Sequence, residues 1–274
     1  MPIKFEIKLQ LQLNLKDFKN NTKKFPLITP DHLHGFFFSL IPSELAEEFH
    51  KPSRFKPFCI WTKDIFKFYF SQSEETQEHL TELILTISLL RDEHFPQILA
   101  EVFENREKLF LGPYKVKLAP LDKLIRNDQY LNFKDLLHIK PKSYFHFYFI
   151  TPVTFKKGEV DYPLPDPKLI FKSLLNKWNY FSPVKVGIDL RKTLEDKVCI
   201  IFAGIRTHKI KLSLGGAVTG FTGKVIFYGK NLTEDELLWL NILGHFSNFS
   251  GVGRKTTMGL GMTKFEALEE EVGK

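Results

Sequence analysis

Apolar and polar residues alternate from Lys4 to Leu15, so that Phe5, Ile7, Leu9, Leu11, Leu13 and Leu15 share one face. That two-residue period predicts a half-buried strand. Thr29-Pro30-Asp31 follows, a capping hydroxyl with proline at the first helical position, and the apolar spacing changes there. Leu33, Phe36, Phe37, Leu40 and Ile41 form the stripe of a helix that Pro42 must break, leaving Ser43 to Phe49 as a second short piece. Two runs rich in β-branched and aromatic residues, Phe58 to Phe70 and Leu80 to Leu90, read as strands. Asp92 caps a helix bearing Phe95, Ile98, Leu99, Val102 and Phe103, and Tyr114 to Leu118 closes the unit. The order is β-α-β-β-α-β, the ferredoxin-like arrangement.

The second half repeats that order without obvious sequence identity. Ser143 to Phe155 is a strand, and a proline-bounded loop, Pro163 to Pro167, precedes a helix with Leu169, Ile170, Leu174, Leu175 and Trp178. Strands follow at Val198 to Leu214 and Ala217 to Tyr228. Thr233 and Glu236 make a capping box for a helix carrying Leu237, Leu240, Leu243 and Phe246, and Met262 to Phe265 is the last strand. The expected fold is α+β: two tandem ferredoxin-like domains at 1–125 and 143–274, joined by a polar linker over 126–142.

Composition narrows the function. With 43% apolar and 26% charged residues the chain is globular, and no apolar run reaches the roughly 18 residues of a membrane span. The alternating N-terminus is unlike a signal peptide, which predicts a soluble, cytoplasmic protein. Cys59 and Cys199 stand among apolar neighbours, as buried strand positions do, and no CxxC or Cys/His ligand spacing occurs. That argues against a disulfide framework and against zinc, and no cofactor is expected. The net charge of +7 favours an anionic partner, nucleic acid first.

The densest motif is FSGVGRKTTMGLG, residues 249–261. It is not a dinucleotide fingerprint, because Thr256 stands where the third glycine belongs and the order is helix, loop, strand. Nor does it fit a Walker loop. Two readings remain level on the residues alone. Either Gly251, Gly253, Gly259 and Gly261 let backbone amides approach phosphates, with Arg254 and Lys255 adding charge, or the loop is a turn that needs left-handed glycines. A second basic stretch, IRTHKIK, puts Arg206, His208, Lys209 and Lys211 on a strand able to track phosphates; a solvated sheet face explains it equally well.

The loop resembles the C-terminal glycine-rich loop of the CRISPR-associated endoribonucleases that process precursor guide RNA, the Cas6 family of the RAMP superfamily. TPVTF at 151–155, PLPDPKLIFKSLLNKW at 163–178 and GFTGKV at 220–225 resemble further family features in the same order. The resemblance implies tandem ferredoxin-like domains, CRISPR repeat RNA as partner, an RNA-binding role for the glycine-rich loop, and contacts with other CRISPR interference-complex subunits; self-association is left open. It also implies a metal-independent cut in which the 2′-hydroxyl attacks the phosphate, giving a 2′,3′-cyclic phosphate and a 5′-hydroxyl. Two other readings compete with this one: a non-catalytic guide-RNA scaffold of the same superfamily, and an unrelated protein that binds small anions or another protein.

Cleavage of that kind needs a base, an acid and positive charge against the developing oxyanion. Family members often carry a histidine after the first helix and a lysine shortly downstream, positions held here by His50 and Lys56. Lys51 and Arg54 stand beside them. The tyrosine of some members falls at Phe38, which has no hydroxyl. His50 follows the last turn of a short helix, where the dipole favours imidazolium, while its basic neighbours oppose it. His32 and His34, in the first turn of the first helix, are the competing histidines.

Overall fold

The N-terminal alternation becomes strand β1, Ile3–Gln12. The computed structural model describes residues 1–12, 28–70, 82–104, 109–118 and 125–269, so Leu13 and Leu15 fall outside it. After β1 come helices α1 (Pro30–Phe38) and α2 (Ser43–His50), strand β2 (Phe58–Trp61) and helix α3 (Lys63–Phe70). Strand β3 (Glu82–Leu89), helix α4 (Phe95–Glu104) and strands β4 (Leu109–Leu111), β5 (Tyr114–Leu118) and β6 (Ile125–Tyr130) complete the first half.

The first sheet runs β2-β3-β1-β5-β4. β1 pairs antiparallel with β3 along most of its length, from Ile3↔Leu89 to Gln10↔Glu82. On the other edge it is shared: β5 takes Leu9 to Gln12 and β6 takes Ile3 to Ile7. Two expectations are corrected here. The run Phe58 to Phe70 is not one strand, because Thr62 stops it: its hydroxyl accepts from the Asp64 amide at 3.2 Å and opens α3. The segment 126–142 is not simply a linker either. Its start belongs to β6 in the first sheet, whereas Phe133 and Leu136 are buried in the second core.

The second half contains β7 (Tyr144–Val153), a small hairpin of β8 (Phe155–Lys157) and β9 (Val160–Tyr162), α5 (Pro167–Phe181), α6 (Leu190–Asp196), β10 (Val198–Lys211), β11 (Ala217–Gly229), α7 (Glu234–Ser250) and β12 (Thr263–Leu268). Its sheet runs β10-β11-β7-β12. Both sheets therefore have the ferredoxin-like order, with the first and third strands central, and the fold is α+β with two tandem units. Phe145, Phe147 and Phe149 share one face of β7 and pack with Phe171 and Trp178 of α5 and Phe246 of α7. The predicted capping box forms: Thr233 accepts from the Glu236 amide, and Glu236 accepts from the Thr233 amide at 2.8 Å. Cys59 is buried as expected, but Cys199 is exposed, because β10 is an edge strand.

The two cores interpenetrate at their border. Ile210 and Val218 of the β10–β11 hairpin, and Leu260 beyond α7, are buried in the first core; Leu90, after β3, is buried in the second. No helix among the described residues is long and apolar enough to cross a membrane.

Candidate active site

The first helix settles which histidine goes where. Pro30 starts α1, and three residues after Thr29 the His32 ring turns back onto the cap: its Nδ1 accepts from the Thr29 amide at 3.1 Å. The same ring packs against Gly112 in the β4–β5 turn. His32 is thus engaged in a helix cap and a hairpin contact. His34, two residues on, points elsewhere. Its Nδ1 lies 3.0 Å from the carbonyl oxygen of Thr257, so Nδ1 carries the proton it donates and Nε2 is left as the reactive nitrogen.

His50 ends α2 and is anchored in the same way. Its Nδ1 donates to the Ala46 carbonyl one turn back, at 2.8 Å, which again leaves Nε2 outward. Phe38 joins the two histidines. It stacks on His50 with ring centroids 4.0 Å apart and meets His34 edge-on at 4.9 Å. The position that lacks a hydroxyl is an aromatic spacer between two imidazoles.

Charge converges on this pair. Lys56 closes the loop after α2 by donating to the Lys51 carbonyl at 2.8 Å. Lys255 has φ +58, the left-handed region, which turns it within the glycine-rich loop. The His34 pKa is lowered from 6.5, first by burial, then by His50, Lys56 and Lys255; the Thr257 carbonyl opposes them. His34 is therefore neutral at pH 7, the state a general base requires.

Three glycines of the glycine-rich loop spend their amides inside the protein. Gly251 donates to the Ser247 carbonyl, Gly253 to the Ser173 hydroxyl and Gly261 to the Pro152 carbonyl, so these N–H groups are used inside the protein. Of the two readings of this loop, the left-handed turn describes them. Gly251 has φ +59, and a Cβ there would lie 2.7 Å from the Trp61 ring. Gly259 has φ +89, and a Cβ there would lie 2.7 Å from Leu33. The glycines let the loop run tight against β2 and α1, which delivers the Thr257 carbonyl and Lys255 to His34. Trp61 fixes it by donating Nε1–H to the Leu260 carbonyl at 2.8 Å.

A cleft of about 370 Å³ opens between the domains beside this cluster, with Arg54 and Lys56 on one wall and Lys255 and Phe181 on the other. Lys177 lies at its edge, buried, donating to the carbonyls of Ser250 at 2.8 Å and Gly251 at 3.2 Å. Burial lowers its pKa, while its ammonium completes carbonyls that α7 leaves open at its C-terminus. The sequence contained a signal for Lys177, since its spacing from Leu174 and Phe181 sets a lysine on an apolar stripe. Nothing in a single sequence marks the Thr257 carbonyl.

The remaining basic positions divide. Lys51 and Arg54 are exposed in the loop after α2, Arg54 lying over the Phe55 ring at 5.3 Å. Arg254 lines the same cleft and pairs with Asp161 at 3.4 Å. Along β10, Arg206 and His208 share one face, Lys209 and Lys211 the other. His208 Nε2 lies 2.9 Å from the Thr222 hydroxyl across the ladder. The tip of this hairpin reaches α1, where the Ser213 amide and hydroxyl donate to Asp31. Among the described residues no group of three or more His, Cys, Asp or Glu is placed to hold a metal ion.

Known proteins resemble this chain over most of its length. Residues 147–263 match the family described as CRISPR-associated endoribonuclease Cas6. The Cas6 endoribonuclease of Streptococcus thermophilus is 23% identical over 246 residues, covering 86% of this chain and 91% of that one. That of Mycobacterium tuberculosis H37Rv is 23% identical over 244 residues, covering 86% and 71%. A Thermus thermophilus Cas6 solved as a product complex superposes with a TM-score of 0.75 at 26% identity, covering 97% of this chain and all of that one. In its fold, and over residues 147–263 in its sequence, the chain is similar to the Cas6 endoribonucleases.

Proposed function

We propose that this protein is an endoribonuclease that binds CRISPR repeat RNA across the interdomain cleft and cuts precursor guide RNA without a metal ion. The observation that carries the reading is the matched pair His34 and His50, each held by Nδ1 to a backbone carbonyl and each presenting Nε2. His34, kept neutral by burial and by neighbouring cations, takes the proton from the 2′-hydroxyl. The bond from O2′ to phosphorus forms as the bond from phosphorus to O5′ breaks. His50 delivers its Nε2 proton to the leaving O5′. Lys56 and Lys255 face the negative charge that builds on the phosphoryl oxygens. The products are a 2′,3′-cyclic phosphate and a 5′-hydroxyl.

This assigns His34 and His50 to one site and leaves His32 to the helix cap. RNA partnership rests on the family and on the basic cleft, and the Thermus relative was itself solved with product. The test is cleavage of the repeat RNA in EDTA by wild type and by His32→Ala, His34→Ala and His50→Ala, with a 2′-deoxy substrate alongside. Wild type should cut, the deoxy sugar should abolish the cut, and His34→Ala and His50→Ala should each lose about 10²–10⁴-fold. Full activity of His34→Ala, or a cut that survives the deoxy sugar, would overturn the scheme.

A further inference from the structure

A second hollow adjoins the histidine site. It has a volume of about 170 Å³ and lies between the end of α2 and the end of α5; Lys56 and Phe181 line both it and the cleft, so the two are continuous. Its walls are aromatic and cationic. Tyr180 is 45% exposed, although it stands in the last turn of α5 beside the buried Phe181. It is nevertheless held: its hydroxyl lies 3.3 Å from the Ser53 hydroxyl, and Phe55 meets its ring edge-on at 5.5 Å. The Arg91 guanidinium stands 5.8 Å from the Phe181 ring centroid. An exposed aromatic ring held in place by two partners, with cations beside it, is what a protein offers to an unstacked base.

We propose that this hollow receives the unpaired base of a nucleotide flanking the scissile phosphate. The base stacks on Tyr180 and Phe55, while Arg91 and Lys51 face the adjoining phosphates. Glu48 on the rim is an acceptor suited to the amino group of cytosine, adenine or guanine. Splaying out one base turns the sugar–phosphate at the cut toward His34 and His50, so the pocket acts on positioning as well as affinity. The proposal rests on the endoribonuclease reading above.

The test crosses protein and RNA changes. Single-turnover cleavage is measured for wild type, Tyr180→Ala and Tyr180→Phe on the intact repeat and on repeats with an abasic ribonucleotide on either side of the cut, which keeps the 2′-hydroxyl. At one of the two positions the abasic substrate should slow wild type about ten- to hundred-fold, the scale of one lost stacking contact. Tyr180→Ala should lose as much on intact RNA and nothing further on that abasic RNA; Tyr180→Phe should stay close to wild type. Losses that multiply, or no loss at either position while wild type cuts the intact repeat, would overturn the pocket and leave the endoribonuclease standing. No cut of intact RNA by wild type would remove both. Thermal melts of the variants separate a folding defect from a lost contact.

Discussion

Nδ1 of His34 and the carbonyl oxygen of Thr257 are 3.0 Å apart, although 223 positions separate them in the chain. The contact fixes the tautomer of a histidine from the first domain with a backbone group from the second. The cluster around it also fixes how the site should respond to pH. Lys255 is among the charges that lower the His34 pKa from 6.5. Cleavage should therefore rise with pH along an acid limb lying below that value, as the imidazolium loses its proton. Lys255→Met removes a cation, so the His34 pKa rises and the limb moves to higher pH. A pH–rate profile with an unmoved limb would show that Lys255 does not act through His34.

Lys177 offers a stability test with a definite sign. Its folded pKa is lowered by burial, whereas the unfolded chain keeps the ordinary 10.5. Between those two values the unfolded state binds more protons, so stability rises with pH across the window. Melts of wild type and Lys177→Met between pH 7 and 10 should show wild type gaining relative to the variant. Parallel curves would mean that the ammonium is not strained by its burial.

The strut between loop and first domain should be measurable piece by piece. Trp61→Phe keeps an aromatic ring but leaves the Leu260 carbonyl without its donor, a loss of about 1–3 kcal/mol to which the smaller ring adds a cavity in this buried position. Gly259→Ala forces a left-handed alanine against Leu33, costing about 1–2 kcal/mol from the backbone alone. Urea titrations give both values, and cleavage should fall with Gly259→Ala because the loop carries Thr257.

Salt dependence should sort the basic residues. Each cation that neutralises a phosphate adds about one unit to the slope of log affinity against log salt. Lys51→Ala and Lys255→Ala should each flatten the slope by about that much. Arg254→Ala should flatten it less, since Arg254 is paired with Asp161. Equal slopes for all three would remove the distinction.

Local chemistry explains which parts of this molecule were legible beforehand. Alternation in β1 and β7, the Thr29-Pro30 start and the Thr233/Glu236 box are properties of neighbouring residues, and each predicted its element. The split at Thr62 was hidden because the apolar run Phe58 to Phe70 overrides one capping hydroxyl in any window average. His32 and His34 could not be separated by sequence, since two positions apart on one helix means opposite surroundings known only after packing. On the residues alone the glycines of 251–261 stand level between phosphate cradle and turn, and only the resemblance points to RNA binding; that the amides of Gly251, Gly253 and Gly261 pair inside the protein is a matter of tertiary structure. Cys199 resembled a core residue because apolar neighbours do not reveal that a strand lies at an edge.

The reach from His34 to Thr257 also has a meaning in time. A ribosome adds about 5–20 residues per second, so roughly 10–45 s pass between the synthesis of the histidine and that of its carbonyl anchor. Throughout that interval a nascent chain displays basic residues without a completed site. On the reading proposed here, a polypeptide still being made can attract RNA before it is able to cut it.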